Sequence, residues 1–137
     1  MPKKHIIKGM EVAGVQVPPP NERNLKVLFA PELGNTDKFT MLFSILNPKG
    51  TTGVHTHDSD EVMYVAAGRG EGKVGEERSE LSRDTVIFAP KLVKHSITNL
   101  EEEPLKLICF YVPPLKPTGY FEEAIKISRQ HFSSLQS

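Results

Sequence analysis

Four side chains in the middle of the sequence are of types that bind transition metals. His55 and His57 are two residues apart, and residues at i and i+2 of a β-strand point to the same face. Glu61 follows four residues after His57, and His95 lies further along the chain. A straight strand would carry Glu61 about 13 Å from His57, at about 3.3 Å per residue, whereas metal donors lie about 2.0–2.2 Å from the ion. The chain must therefore bend between them, and the turn-forming triplet Asp58-Ser59-Asp60 lies at that place.

The elements that must position these side chains are short strands. Eleven prolines and ten glycines separate brief apolar runs, a pattern typical of an antiparallel sandwich or barrel. We find no internal repeat, so the pattern predicts a single barrel unit. The predicted strands cover residues 26–30, 38–46, 53–57, 61–66, 71–74, 78–81, 85–89, 95–100 and 105–112.

The two ends of the chain differ from this middle part. The prolines that follow Val17 predict an extended connector, because proline cannot donate a ladder hydrogen bond. The proline-rich stretch 113–117 ends the last strand in the same way. Residues 119–132 then predict a helix, with acidic residues early and basic residues late. Its apolar stripe is expected to pack on the outside of the barrel, and a lid or a dimer contact is the alternative.

The spacing of these residues resembles the two sequence motifs of the cupin family. The first motif is a glycine, His-x-His, three or four residues, a glutamate, six residues and a glycine. Its matching positions are Gly50, His55, His57, Glu61 and Gly68, and those of the second motif are Pro90, His95 and Asn99. The resemblance covers about residues 26–112. It departs from the family pattern at three positions, where Gly50 lies one residue nearer His55 and where Asp84 and Leu92 replace glycines.

The resemblance implies a fold and a set of metal ligands. The expected fold is an all-β, antiparallel double-sheet jelly-roll barrel with a short C-terminal helix. One domain of residues 1–137 would comprise an extended arm (1–25), the barrel core (about 26–112) and a proline linker with the helix (113–137). The implied ligands are His55, His57, Glu61 and His95. Three imidazoles and one carboxylate suit Fe, Mn, Ni, Cu or Zn and do not choose among them. In an alternative reading, Glu61 only lines the rim of a three-histidine site.

Around these ligands the sequence predicts a largely apolar pocket. Met63 shares strand parity with Glu61, and Ile97 shares it with His95, so both should face inward. In residues 39–46 either alternating set could line the pocket. Candidate polar groups at its mouth, which could equally be ordinary surface residues, are Tyr64, Arg69, Lys91 and Lys94. The single cysteine, Cys109, is expected to be a buried small hydrophobe.

These features favour a metal-dependent enzyme that acts on a small molecule, with no catalytic residue identified. Dioxygenase-type oxidoreductase chemistry is placed first, because the pocket is apolar and the metal keeps open positions. The first alternative is a redox-neutral isomerase, decarboxylase or lyase acting on a keto acid or sugar acid. The second alternative is a non-catalytic module that binds a small ligand.

Composition and charge limit the partners and the location. Seventeen basic residues balance seventeen acidic residues, so no global field attracts nucleic acid or anionic lipid. No stretch approaches the roughly 20 apolar residues that span a bilayer. With one cysteine and no apolar leader, the expected location is the cytoplasm. By its resemblance to cupins the chain is expected to form a homodimer, with residues 6–17 crossing to the partner.

Overall fold

The computed structural model describes residues 5–135, so the first four residues of the expected arm and the last two of the C-terminal segment lie outside it. Within this part of the chain, nine strands precede one α-helix. The strands are β1 (Val15–Val17), β2 (Arg23–Phe29), β3 (Thr40–Leu46), β4 (Asp60–Ala67), β5 (Gly70–Val74), β6 (Glu77–Leu81), β7 (Val86–Ala89), β8 (His95–Thr98) and β9 (Leu105–Val112). The helix is α1 (Gly119–Ser134), and short 3-10 turns lie at Gly9–Glu11 and Pro31–Leu33.

The strands form two antiparallel sheets. The larger sheet has the order β1-β2-β3-β9-β4-β7, and the smaller has the order β6-β5-β8. Strand β4 shows why the sequence folds this way, because Glu61, Met63 and Val65 are buried while Val62 and Tyr64 alternate with them on the exposed face. The predicted all-β, double-sheet jelly-roll with a C-terminal helix is confirmed.

Two strand predictions differ from the structure. Residues 53–57 do not form a continuous strand; Thr51 and His55 instead make isolated bridges to Thr98 and His95. Gly53 has φ of 70°, a left-handed conformation that interrupts an extended ladder. At the other end, β1 lies in the predicted arm and pairs with β2, which begins at Arg23 rather than at residue 26.

The apolar residues divide into a main core and a smaller outer cluster. The main core lies between the sheets and is continuous with Phe121, Ala124 and Ile125 of α1, so the apolar stripe of the helix packs against the barrel. In the outer cluster, Phe43 packs with residues of β2 and of the N-terminal segment. The inward set of β3 is therefore the one that contains Leu42 and Ser44. No helix of residues 5–135 is long and apolar enough to span a membrane.

The motif positions that depart from glycine keep a glycine-like backbone. Asp84 has φ of 74° and Leu92 has φ of 66°, both in the left-handed region that a non-glycine residue adopts at a cost. At Gly68 glycine is required, because φ is 91° and an added Cβ would lie 2.4 Å from the carbonyl oxygen of Pro104. The turns of the family pattern are thus retained in shape where the residue type has changed.

Candidate metal centre

His55 and His95 are held side by side by the backbone. The two residues exchange both main-chain hydrogen bonds, with N···O distances of 3.1 Å from His55 to His95 and 3.0 Å in the reverse direction. This pairing joins the irregular segment after Gly53 to the start of β8. The imidazole ring centroids are consequently 4.2 Å apart.

A bend brings His57 and Glu61 into the same place. The main-chain carbonyl of His57 accepts a hydrogen bond from the N–H of Leu92 (2.9 Å), which holds this segment against the turn before β8. The chain then bends at residues 58–59, and β4 begins at Asp60. Glu61, the second residue of β4, is only 2% exposed and faces the interior. The bend predicted at Asp58-Ser59-Asp60 therefore lies where the separation of the two side chains requires it.

Four potential donor atoms converge at this point. The ligand atoms of His55, His57, Glu61 and His95 all lie within 4.8 Å of one another. Glu61 Oε1 lies 3.0 Å from His95 Nε2 and 3.3 Å from His57 Nε2. Donors about 2.1 Å from one ion would be separated by up to about 4.2 Å. The cluster is thus close to the dimensions of a mononuclear site.

The histidine tautomers also fit a metal. The Nδ1 of His55 lies 2.8 Å from the carbonyl oxygen of Gly53, and the Nδ1 of His95 lies 2.9 Å from that of Val93. A carbonyl can only accept, so each Nδ1 carries a proton, and the Nε2 of His55 is free to coordinate. The Nε2 of His95 lies 3.0 Å from Glu61 Oε1 and would coordinate an ion after losing the proton that it shares with this carboxylate. The Nε2 of His57 is buried and forms no hydrogen bond in residues 5–135. A buried nitrogen without a partner is costly, and coordination would satisfy it.

The charges around Glu61 favour its ionised form. Burial alone would raise the pKa of Glu61, but its contacts with His57, His95 and Tyr111 outweigh burial and lower the pKa to about 2. Burial lowers the pKa of His55 to about 4, which keeps that imidazole neutral at pH 7. For His95, burial opposes protonation, yet the hydrogen bond to Glu61 raises the pKa overall. One carboxylate and three imidazoles make a suitable donor set for a divalent cation.

All four residues singled out from the sequence are therefore brought together. The alternative in which Glu61 lies at the rim does not hold, because its carboxylate is buried between two imidazoles. The polar groups expected at the mouth are placed differently. Tyr64 donates a hydrogen bond to Asp84 on the outer surface, and Lys91 pairs with Asp58 at 3.2 Å. Neither these two nor Arg69 and Lys94 line the cavity.

The donor cluster forms part of the wall of a cavity of about 270 Å³. Much of the remaining wall is apolar, contributed by Leu25, Leu42, Met63, Ile97 and Leu107. The prediction that Met63 and Ile97 face inward is correct, and both are at most 2% exposed. Residues between Leu115 and Phe121 close part of the cavity, so the segment that leads into α1 contributes to the site.

Several polar residues of the wall were missed in the sequence, among them Arg23, Tyr111 and Lys116. Arg23 shares the inward face of β2 with Leu25, and Tyr111 shares that of β9 with Cys109. Strand parity would have indicated Tyr111, whereas Arg23 was missed because β2 was predicted to start at residue 26. Lys116 lies in the proline-rich linker, where no periodicity indicates direction. Cys109 is buried as expected, and burial raises the pKa of its thiol well above the usual value.

Comparison with known proteins shows the family to which this chain belongs. Residues 42–111 match the family model described as the cupin domain, and the chain belongs to the cupin family. It is 30% identical over 94 residues to an uncharacterized protein of Streptomyces coelicolor, covering 68% of this chain and 74% of that protein.

Solved structures show the same fold. A predicted oxalate decarboxylase from Thermotoga maritima superposes with a TM-score of 0.70 at 18% identity, covering 78% of this chain and 97% of that one. KdgF from Halomonas sp. superposes with a TM-score of 0.63 at 21% identity, covering 75% of this chain and 88% of that one.

Proposed function

We propose that this cupin is a metal-dependent enzyme in which His55, His57, Glu61 and His95 hold one divalent ion, of Fe, Mn, Ni, Cu or Zn. The observation that carries the proposal is the convergence of their donor atoms on the wall of a cavity large enough for a small molecule. Four protein donors leave open positions on a six-coordinate ion. Such an ion acts as a Lewis acid on a carbonyl or carboxylate oxygen that binds to it.

The reaction class that the cavity supports best is redox-neutral, namely decarboxylation, isomerisation or lyase chemistry on a small oxo acid or sugar acid. Met63 and Cys109 both line the cavity beside Glu61. A thioether is oxidised to a sulfoxide by reactive oxygen species, so a pocket that handled such species would endanger the Met63 side chain in its own wall. The structural similarity to a protein titled a predicted oxalate decarboxylase also supports this class.

Dioxygen-dependent oxidation, which the sequence placed first, is the second candidate. The observation in its favour is the apolar wall, where Leu42, Ile97 and Leu107 are each at most 2% exposed. An apolar wall excludes water from the coordination positions that a chelating substrate and dioxygen would share.

One set of measurements tests both classes. Protein purified without chelating resin is analysed for metal, reloaded with each candidate ion, and assayed against small oxo acids, hydroxy acids and sugar acids. Product formation by NMR without oxygen uptake would support the redox-neutral class. Oxygen consumption in stoichiometric amounts would instead support dioxygen-dependent oxidation and refute the redox-neutral class. Ligand binding without turnover by any loaded form would indicate a non-catalytic binding module.

We also propose a homodimer formed through the outer face of the larger sheet. Phe88, Val62 and Phe110 are register neighbours across β7, β4 and β9, and each is 37% or more exposed. Such a row of apolar side chains is typical of an interaction surface. Because β1 pairs with β2 of its own chain, exchange of residues 6–17 is not needed for this contact. A Phe88→Lys variant should be monomeric in sedimentation, and a monomeric parent would refute the dimer. The cytoplasmic location stays a prediction.

A further inference from the structure

Arg23 is a cation built into the wall of the same cavity as the metal-binding cluster. It is the first residue of β2 and is about half-buried, and its inward neighbour Leu25 also lines the cavity. Its hydrogen bond within residues 5–135 runs from Nη1 to the carbonyl oxygen of Asn21, two residues back, at 2.9 Å. No carboxylate of these residues lies within 4.0 Å of it in an ion pair. The bond to Asn21 is local and ties no distant elements together, so a purely structural role would leave most of the guanidinium donors unused.

The charges that face the cavity do not balance. An ion of charge +2 with the −1 of Glu61 and the +1 of Arg23 gives a sum of +2, since the three coordinating imidazoles are neutral. Lys116 at the rim cannot be counted as a buried charge, because it is 80% exposed and pairs with Asp58 at 3.5 Å. Burying an excess of positive charge is costly unless an anion arrives to match it. The excess therefore favours an anionic ligand.

We propose that Arg23 anchors a carboxylate of the substrate, which is a small dianionic or oxo acid. This inference rests on the proposed function and names the substrate class for that same site. One oxygen-bearing group of the acid binds the ion, and a second carboxylate pairs with the guanidinium fork, whose geometry matches it in a bidentate manner. The cavity of about 270 Å³ has room for roughly nine groups of water size, at about 30 Å³ each. An acid of two to six carbons fits that space, with its carbon chain against Leu25 and Leu107.

The test measures binding and does not require turnover. Protein loaded with one equivalent of Zn²⁺ is titrated calorimetrically with oxalate, malonate and succinate, and with malonamide as the uncharged counterpart. The expected result for the parent protein is preference for at least one dicarboxylate over malonamide. Arg23→Gln should weaken the binding of that dicarboxylate by about 10- to 100-fold, which is the usual range for the loss of a charge-assisted contact. Arg23→Lys should recover part of the loss, because it keeps the charge but lacks the fork.

The controls separate the two proposals. Arg78→Gln removes an exposed arginine of β6 that does not line the cavity, and it should leave every dissociation constant unchanged. Metal content and melting temperature are recorded for each variant. Arg23→Gln with full metal content and parental affinity for the dicarboxylate would overturn the anchor and leave the metal site standing. Equal binding of malonamide, or no binding of any diacid, would also overturn the anchor. A parent protein that takes up no Zn²⁺ would overturn both proposals.

Discussion

Replacing His57 by alanine should separate metal binding from folding. Of the three clustered histidines, His57 is the one whose Nε2 is buried without a hydrogen bond in the described residues. His55 and His95 also fasten their segments through Nδ1 contacts to the backbone, so their removal would disturb the fold as well. His57→Ala deletes one metal donor, and in the metal-free protein it removes the 3.3 Å contact between Nε2 and Glu61 Oε1 together with the packing of the ring on Tyr111.

The expected magnitudes follow from the contacts. In the metal-free protein the variant loses an edge-on contact with the Tyr111 ring, 5.1 Å between centroids, which is worth about 0.5–1.5 kcal/mol. With free metal at about 100 times its dissociation constant, the parent gains about 2.7 kcal/mol, or about 10 °C in melting temperature for a chain of this size. If the variant binds about 100-fold more weakly, the same metal concentration stabilises it by only about 0.4 kcal/mol.

The assay is thermal unfolding with and without Zn²⁺, together with metal analysis of the purified protein. His5→Ala is the matched control, because His5 is an exposed histidine away from the cavity. The control should keep the full metal-dependent rise in melting temperature. If His57→Ala kept both its metal content and the rise, the proposed ligand set would be wrong.

Three further predictions concern stability. Leu92→Gly should stabilise the protein by about 0.5–1 kcal/mol in urea unfolding, because glycine adopts the left-handed conformation of this exposed residue without strain. As a control, Leu100→Gly replaces an exposed leucine without a positive φ and should destabilise the protein. Asn99→Ala should lower the free energy of unfolding by about 2–4 kcal/mol. The fully buried amide of Asn99 donates to the carbonyls of residues 46, 47 and 103 and accepts from the N–H of residue 101. The folded fraction of the variant should keep its metal stoichiometry. The free energy of unfolding of the metal-free protein should fall by up to about 3 kcal/mol as the pH falls from 6.5 to 4. The reason is that the pKa of His55 in the folded protein is lowered to about 4, so the unfolded chain binds protons first. A His55→Gln variant whose stability fell equally steeply with pH would contradict this cause.

Three of the four clustered residues could be found from the sequence because their relation is local, and His95 was implied by the resemblance to the second cupin motif. Two histidines at i and i+2 and a glutamate four residues later, with a turn between, constrain one another whatever the rest of the chain does. The path of the chain was less predictable. A regular strand was expected for residues 53–57, but Gly53 interrupts it, and His55 is positioned by its bridge to His95. That bridge joins residues forty apart, which no local pattern reveals.

The cavity wall was predicted less completely than the donor cluster. Periodicity placed Met63 and Ile97 inward because each shares parity with a clustered residue of its own strand. Arg23 was missed because the strand was predicted to start at residue 26, and a charged residue outside a predicted strand is ordinarily expected at the surface. Lys116 lies in an irregular segment that is held by tertiary contacts, among them the hydrogen bond from the N–H of Leu115 to Thr40 Oγ1 at 3.0 Å.

The residues that would bind the metal and the residues that line the rest of the cavity lie in different parts of the sequence, and this separation indicates which residues determine substrate specificity. The carbonyls of Gly53 and Val93, each two residues before its histidine, orient the imidazoles of His55 and His95. The residues that set the metal-binding geometry therefore lie next to the ligands in the sequence. Arg23 and the segment around Lys116 lie outside both motifs but face the same cavity. A chain can keep its metal-binding motifs while these two places change, because neither holds a donor atom. Substitutions at Arg23 should therefore alter which acid binds without altering whether metal binds, whereas substitutions at His57 should weaken the binding of both metal and acid.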